Sequence, residues 1–492
     1  MLARIIQDKL SGALMRVKLT ILDRNPPASV RLSTVLPTAS TSLSMAVASP
    51  IPNNFSSLPR GRGEGIINFK KSSLRVIILT MKRKILIIGN SAKEYALAKK
   101  LSEKHDIFVT PSSDAIKEFA TCLDIREDAS AEILEFVMEN GIDLTIPTSL
   151  KALKSDIVEL FNQNNQAIFA PVKKACKLVF DKALAKKILY KLRIPTPKFG
   201  IFEKQNMVMD YIKNLKNPFV IKTDDSNSAT VFTNTQTAKT FVDSLFIEKN
   251  KRVIIEDYIY GTPFSFYTIT DGYKALPIGS SITYKHSLEG DGGQLTSGMG
   301  ACSPNYKLTL EQEYYLMDNV IYPTLDYCEI EGNPYLGILG VNGILTDDGK
   351  IFVLGWQSFM QDCDATAVLE VLDEDLYELF KSCVVGSFSD EIEGINLFNK
   401  YASSLVLTCK NKENTENAIL GLDNLDEETK ITFYPSVNKN KYLEFEAVHG
   451  ANIILTTSGI TASKAVDKMY LEVEDIEFSG KAYRRDICKF KI

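Results

Sequence analysis

From Lys84 onward, short apolar runs alternate with stretches of helical period, and this alternation constrains the fold more than any other feature of the chain. "KILIIGN" reads as a buried strand, "KEYALAKKLSEK" as a helix, "DIFVT" as a strand and "SAEILEFVMEN" as a helix. "DLTIP", "KSDIVELFNQN" and "AIFAP" continue the series as strand, helix and strand. Strands separated by helices at this spacing predict a parallel sheet wrapped by helices, a Rossmann-like domain over residues 81–177. Its first turn, "GNSAKE", lacks the G-x-G-x-x-G that lets a dinucleotide pyrophosphate approach the backbone, which argues against nicotinamide chemistry. A helix N-terminus after a strand is still suited to a single phosphate, while a plain strand-to-helix turn explains the same residues equally well.

Beyond the helix "DKALAKKILYKLRI", closed by the prolines of "IPTPKF", strict alternation ends. "PFVIKTDDSNSATVFT" and "RVIIEDYIYGTPFSFYTITDG" read as strands around polar loops, and "LEGDGGQLTSGMGACSP" as a Gly-rich loop. A helix, "EQEYYLMDNVIYPTLDYC", and a hairpin turned by Asp347-Asp348-Gly349 follow. These elements predict an α+β domain in two lobes over 178–395, then a smaller β-rich domain over 396–492.

A chain of 492 residues is too long for one core. It contains no run of about 18 apolar residues, so no membrane span is expected. A net charge of -4 argues against a nucleic-acid partner and points to small molecules. Eight cysteines without C-x-x-C spacing and three scattered histidines argue against zinc or a disulfide framework and predict thiols in a reducing compartment. Residues 1–80 carry eleven Lys and Arg against three acids, with "NPPAS", "SPIPNNF" and "PRGRGEG" breaking any core. Two readings stand: a disordered, transit-like extension, or a start codon misplaced ahead of Met81. The first would place the protein in an organelle, the second in the cytoplasm, which is the expected location.

Taken in order, "KILIIGNSAKEYALAKKL", "KLRIPTPKF", "RVIIEDYIYGTPFSF", "LEGDGGQLTSGMGACSP" and "YRRDI" make the chain resemble the phosphoribosylamine–glycine ligase family, the purine-pathway branch of the ATP-grasp fold, over residues 81–492. The resemblance implies ATP and Mg2+ as cofactors and glycine and 5-phosphoribosylamine as substrates. ATP would phosphorylate the glycine carboxylate, and the amine would attack the acyl phosphate to give an amide. Charge gathers on the transferred phosphoryl group, so such a site needs cations, oriented N–H groups and carboxylates holding the metal. Matched residue by residue, Lys222 and, more loosely, Lys182 would reach ATP phosphate, while Glu256 and Asp257 would meet adenine and ribose. Asp291, Thr296, Gly298, Met299 and Gly300 would line the substrate pocket, and Glu94 in the first turn would contact the amine substrate.

The chain departs from the family where metal and phosphate are held. At the end of the strand "IFVLGW" the family reads glutamate, asparagine and arginine; here Gly355, Gln357 and Phe359 stand in their places. Gln357 keeps a neutral amide oxygen as a metal ligand, and Asp362 and Asp364 lie a turn further on as substitutes. The phosphate-covering loop, "TDDSNSATV", has two aspartates and no glycine or lysine, and Leu295, Ser297 and Ser149 replace an asparagine, a glycine and an acid. These changes predict a ligase homologue whose activity is weak or lost. The alternatives are a non-catalytic nucleotide- or precursor-binding regulatory paralogue, and an ATP-grasp ligase with changed substrates.

Overall fold

The structure is a computed structural model. It describes residues 82–489 except 216–217, 224–228, 248–251 and 412–416, together with four strands nearer the N-terminus. Those strands, Val17–Leu22, Ser29–Leu36, Ala39–Ala46 and Gly65–Ile66, form an antiparallel sheet in a unit ending at Met81. The rest of that segment, on which the expectation of a disordered or targeting extension falls, lies outside the described residues, as do Asp224 and Asp225.

The second unit, Lys82–Ile492, opens with the predicted alternation. Strand β1 (Lys84–Ile88), helix α1 (Ala92–Ser102), β2 (Asp106–Thr110), β3 (Thr121–Cys122), α2 (Ser130–Asn140) and β4 (Leu144–Pro147) build a parallel sheet in the order β3-β2-β1-β4. Ile85, Leu86, Ile87 and Ile88 are all fully buried, because helices cover both faces and every side chain of the central strand meets one.

Helices α3 (Lys173–Phe180) and α4 (Lys182–Lys191) lead into a small lobe. Its antiparallel sheet runs β7-β6-β8-β5, from β5 (Phe199–Phe202), β6 (Phe219–Thr223), β7 (Ala229–Phe232) and β8 (Val253–Asp257), against helices α5 (Gln205–Ile212) and α6 (Thr235–Leu245). Val208, Ile212, Phe219, Ile221 and Val242 form its core.

The remaining strands make one continuous sheet. They are β9 (Thr262–Asp271), β10 (Ala275–Leu288), β11 (Gly292–Ser303), β12 (Leu336–Leu345), β13 (Ile351–Gln357), β14 (Tyr401–Cys409), β15 (Lys430–Phe433), β16 (Gly450–Gly459) and β17 (Lys481–Ala482). The order is β13-β12-β9-β10-β11-β14-β16-β15, with β17 beside β14, so the sheet runs from the residues around the nucleotide cleft into the C-terminal segment. The expected single helix before β12 widens into a π-helical turn over Met317–Ile321, just ahead of Pro323, whose missing N–H and ring cannot sit in a regular α-turn. The hairpin turn at Asp347–Gly349 is as expected, with Gly349 at φ 79° donating its N–H to the Thr346 carbonyl. Helix α7 (Asp362–Val371) follows β13 directly, lies across the large sheet and also packs against α1.

Two sequence expectations are corrected. The Gly-rich stretch is a tight hairpin, β10 turning through a single 3-10 turn at Glu289–Asp291 into β11, and the register slips between Tyr284 and Leu288. Glycine is required within it at Gly300, where a Cβ would stand 2.6 Å from the Ser404 carbonyl oxygen across the sheet. The expectation of thiols alone is corrected by a disulfide between Cys302 in β11 and Cys488 near the C-terminus, their Cα atoms 6.1 Å apart. The two are 186 residues apart, so only the fold brings them together. The other six cysteines are free, five of them buried.

Candidate nucleotide and substrate site

The small lobe and α4 gather lysines around a single acid. Lys182 opens α4, and its ammonium donates to the Thr223 carbonyl at 3.3 Å. Lys186 stands one turn further along the same face, because residues four apart on a helix are neighbours. Its Nζ is 3.3 Å from Glu256 Oε1 and donates to Thr196 Oγ1 at 2.7 Å. From β6, the Lys222 ammonium donates to Glu256 Oε2 at 2.9 Å. Glu256 is 2% exposed. Burial alone would raise its carboxyl, but the ammonium groups of Lys222 and Lys186 hold it below the usual carboxylate range. Lys186 is in the opposite position: burial, reinforced by the Lys222 charge, outweighs Glu256 and holds its ammonium down to about 8.

Strand alternation separates the two acids that the sequence paired. Successive side chains in β8 point to opposite faces. Glu256 faces the lysines, while the Asp257 charge acts on Tyr211 of α5 and its N–H donates to the Lys198 carbonyl. Asp257 is therefore not part of the lysine cluster.

The floor of the large sheet holds a second polar group. Asn342 in β12 lies directly across from Gly355 in β13. Its Oδ1 accepts from Ser265 Oγ at 3.1 Å, from the Lys285 ammonium at 3.4 Å and from Gln357 Nε2. The Tyr267 hydroxyl lies 2.9 Å from Gln357 Oε1 and 2.6 Å from Asp364 Oδ2, and Ser265 Oγ lies 3.0 Å from the same Asp364 oxygen. Asp364 is 2% exposed and burial raises its carboxyl, against the Tyr267 hydrogen bond and the Lys285 charge. Burial lowers the Lys285 ammonium, Asp364 opposes that, and the Lys222 charge adds to it.

This arrangement does not fit a divalent metal. Among the described residues no three His, Cys, Asp or Glu side chains converge as a metal site. Gln357, the sequence candidate, has its oxygen beside the Tyr267 hydroxyl and its amide on Asn342. Neither substitute acid is free. Asp364 belongs to the buried network, and Asp362 Oδ1 accepts from Ser91 Oγ at 2.8 Å and from the Lys93 N–H at 3.1 Å. Phe359, where the family has arginine, is 5% exposed in the core.

That Asp362 contact occupies the N-terminus of α1, where a phosphate was one expectation. Glu94 caps the same helix, accepting from the Ser91 N–H at 2.8 Å and from the Thr148 hydroxyl, with Lys93 Nζ at 3.2 Å. Burial would raise Glu94, but Lys93 and its hydroxyl partners hold it down. Gly89, at φ 143°, leaves room for this carboxylate, since a Cβ there would stand 2.5 Å from Glu94 Oε1. Ser149, at the position of the family acid, instead caps a short helix by accepting from the Lys151 N–H at 3.2 Å.

On the hairpin, the Thr296 hydroxyl donates to the Lys285 carbonyl at 2.9 Å and accepts from the Gly298 N–H at 3.1 Å. Met299 is 7% exposed and its side chain packs into the core, leaving only its backbone to face a ligand. Asp291, at φ 56°, is 3.1 Å from Arg484 Nη2. Arg484, 2% exposed, also donates to the His286 carbonyl at 2.8 Å and grips both oxygens of Asp486, at 2.8 and 2.7 Å. The "YRRDI" segment is thus a strap over the hairpin turn. The residues missed in the sequence are Lys186, Lys285, Tyr267, Asn342 and Arg484; only Lys186, four residues from Lys182, carried a readable signal.

A parallel-sheet domain, a small antiparallel lobe bearing lysines and a large sheet facing it define an ATP-grasp protein. Residues 83–178 match the family model of the phosphoribosylglycinamide synthetase N domain, and 180–365 that of its ATP-grasp (A) domain. The chain belongs to the phosphoribosylglycinamide synthetase family. It is 27% identical to the phosphoribosylamine–glycine ligase of Clostridium acetobutylicum over 419 residues, covering 83% of this chain and 100% of that protein. It is 28% identical to that of Neisseria meningitidis serogroup B, covering 82% and 98%. Among solved structures, phosphoribosylamine–glycine ligase from Thermotoga maritima superposes with a TM-score of 0.69 at 21% identity, covering 82% of this chain and 100% of that one. Campylobacter jejuni biotin carboxylase, solved with a β,γ-ATP complex, gives 0.62 at 14% identity, covering 82% and 93%.

Proposed function

We propose that this chain is a phosphoribosylamine–glycine ligase homologue that binds nucleotide between Lys182, Lys186, Lys222 and the large sheet, and whose amide-forming turnover with glycine and 5-phosphoribosylamine is weak or lost. The observation that carries this reading is the closed network of Tyr267, Gln357, Asn342 and Asp364 beside Gly355. Each amide and carboxylate there already has a protein partner, so none offers an anionic ligand to a metal. Phosphoryl transfer depends on positioning and on neutralising the charge that builds on the phosphoryl oxygens, and removing a metal carboxylate costs orders of magnitude in rate. The lysine cluster supports the binding half of the reading: its ammonium groups outnumber its acid and face a cleft.

A second reading, a nucleotide- or precursor-binding regulatory protein without turnover, is favoured by Asp362 sitting on the N-terminus of α1, where its carboxylate competes with a substrate phosphate. Both readings are tested by ADP release from the full chain with ATP, glycine, 5-phosphoribosylamine and Mg2+. Turnover near about 10 per second, an ordinary enzyme rate, rejects the loss of activity. ADP binding with no turnover selects the second reading.

A further inference from the structure

The metal position is closed, yet the cleft around it has too much positive charge for an empty protein. Lys182, Lys186 and Lys222 from one side and Lys285 from the other are set against Glu256 and Asp364. The acids nearby are otherwise committed: Asp257 faces α5, Asp181 pairs with Arg252 at 3.1 Å, and Asp362 is bound to α1. Four ammonium groups over two carboxylates leave a surplus of positive charge among the described residues. Lys285 is the one that stands where the metal chemistry would be. Its ammonium meets Asn342, which lies directly across β12 and β13 from Gly355, the residue in place of the metal-binding glutamate.

We propose that Lys285 serves as a built-in counter-cation, so that this cleft takes the di- or triphosphate of a nucleotide as the free anion, without a divalent metal. The inference rests on the nucleotide-binding reading above. A divalent ion normally arrives with the polyphosphate and is neutralised by protein carboxylates on its other side. Remove those carboxylates and the ion has no protein anion to balance it, whereas an ammonium fixed by Asn342 needs none. The strand fixes its position: Lys285 lies in β10, its own carbonyl accepting from Thr296 across the hairpin. The Thr296 contact ties the lysine to the Gly-rich turn, so the turn and the counter-cation are placed by the same pair of strands. The few charges facing Lys285 are Asp364, which holds it, and Lys222, which repels it. An arriving phosphate would relieve that repulsion, which is what a site built for an anion requires.

The test is titration calorimetry of the full chain with ADP, once in EDTA and once in Mg2+. Dissociation constants agreeing within about twofold support the inference, as does a loss of about tenfold or more in EDTA for Lys285→Met with binding regained in Lys285→Arg. Binding that Mg2+ tightens by about tenfold or more overturns the inference and leaves the nucleotide reading standing. A folded Lys285→Met that binds ADP unchanged also overturns it. No binding in either buffer rejects the nucleotide reading itself and this inference with it. If Lys285→Met does not fold, the comparison of EDTA with Mg2+ on the unaltered chain decides alone.

Discussion

Gly355 and Asn342 face each other across β12 and β13, and a Cβ added at Gly355 would meet no atom within 4 Å. The position can therefore take back a side chain without displacing its neighbours. Gly355→Glu places a carboxylate beside Asn342 and the Lys285 ammonium, supplying the anion that a divalent ion lacks in the present sheet. The variant is expected to keep its melting temperature, since there is nothing to clash with, and to bind ADP about tenfold more tightly in Mg2+ than in EDTA. Calorimetry in the two buffers reads this directly. A variant indifferent to Mg2+ would show that one carboxylate is insufficient.

Lys186 gives the cleft a pH dependence whose two consequences have opposite signs. Its ammonium is held down to about 8 by burial and the Lys222 charge, against the pull of Glu256, and is 10.5 in the unexposed reference state of an ordinary lysine. Between these values the unfolded chain carries more protons at this residue, so its contribution to stability rises as pH climbs from 8 to 10.5. Nucleotide affinity moves the other way. Above pH 8 the folded protein loses this positive charge, and affinity for ADP is expected to fall, approaching about tenfold per pH unit. Lys186→Met should flatten that fall. Thr196, which takes the Lys186 proton donor, and Glu256 are its other polar neighbours, and neither titrates in this window.

Arg484 should be the most sensitive position in the C-terminal strap. It is buried and its guanidinium joins Asp291, Asp486 and the His286 carbonyl. Arg484→Ala leaves two carboxylates and a carbonyl without their donor and is expected to cost about 3 to 5 kcal/mol in urea unfolding. Arg484→Lys should recover little, because one ammonium cannot fork between these partners. A loss below about 1 kcal/mol would show that the strap does not depend on this residue.

The sequence made the parallel sheet legible because each strand and helix there is decided within a few residues, as at "KILIIGN" followed by "KEYALAKKL". Lys222 and Glu256 were readable for a similar reason, as polar residues ending apolar strands. Asp257 was misplaced because one residue along a strand changes its face. Tyr267, Asn342 and Lys285 sit in strands that look like ordinary half-buried sheet, and their meeting depends on pairing between segments far apart in the chain. The disulfide was hidden for the same reason. Gln357 looked like a ligand because its chemistry allows it; what excludes it is Tyr267, ninety residues away.

The bond between Cys302 and Cys488 joins β11 of the hairpin to the segment that carries Arg484, so it reinforces the same strap from its other end. It closes a loop of 186 residues, and by the chain-entropy argument such a link stabilises by about 4 to 5 kcal/mol at most, since closing a long loop in the unfolded chain is what it spares. Non-reducing peptide mapping of the full chain is expected to recover a linked pair containing Cys302 and Cys488. Reductant is expected to lower the melting temperature of the parent chain, and to leave the already lowered value of Cys488→Ser unchanged. Both cysteines are buried, so a thiol at either place still packs, and the difference isolates the covalent link from the packing around it. A parent chain whose melting temperature ignores reductant, with no linked peptide, would show that the two thiols only touch. The strap would then be held by Arg484 alone, and the Arg484→Ala cost should become the larger of the two effects.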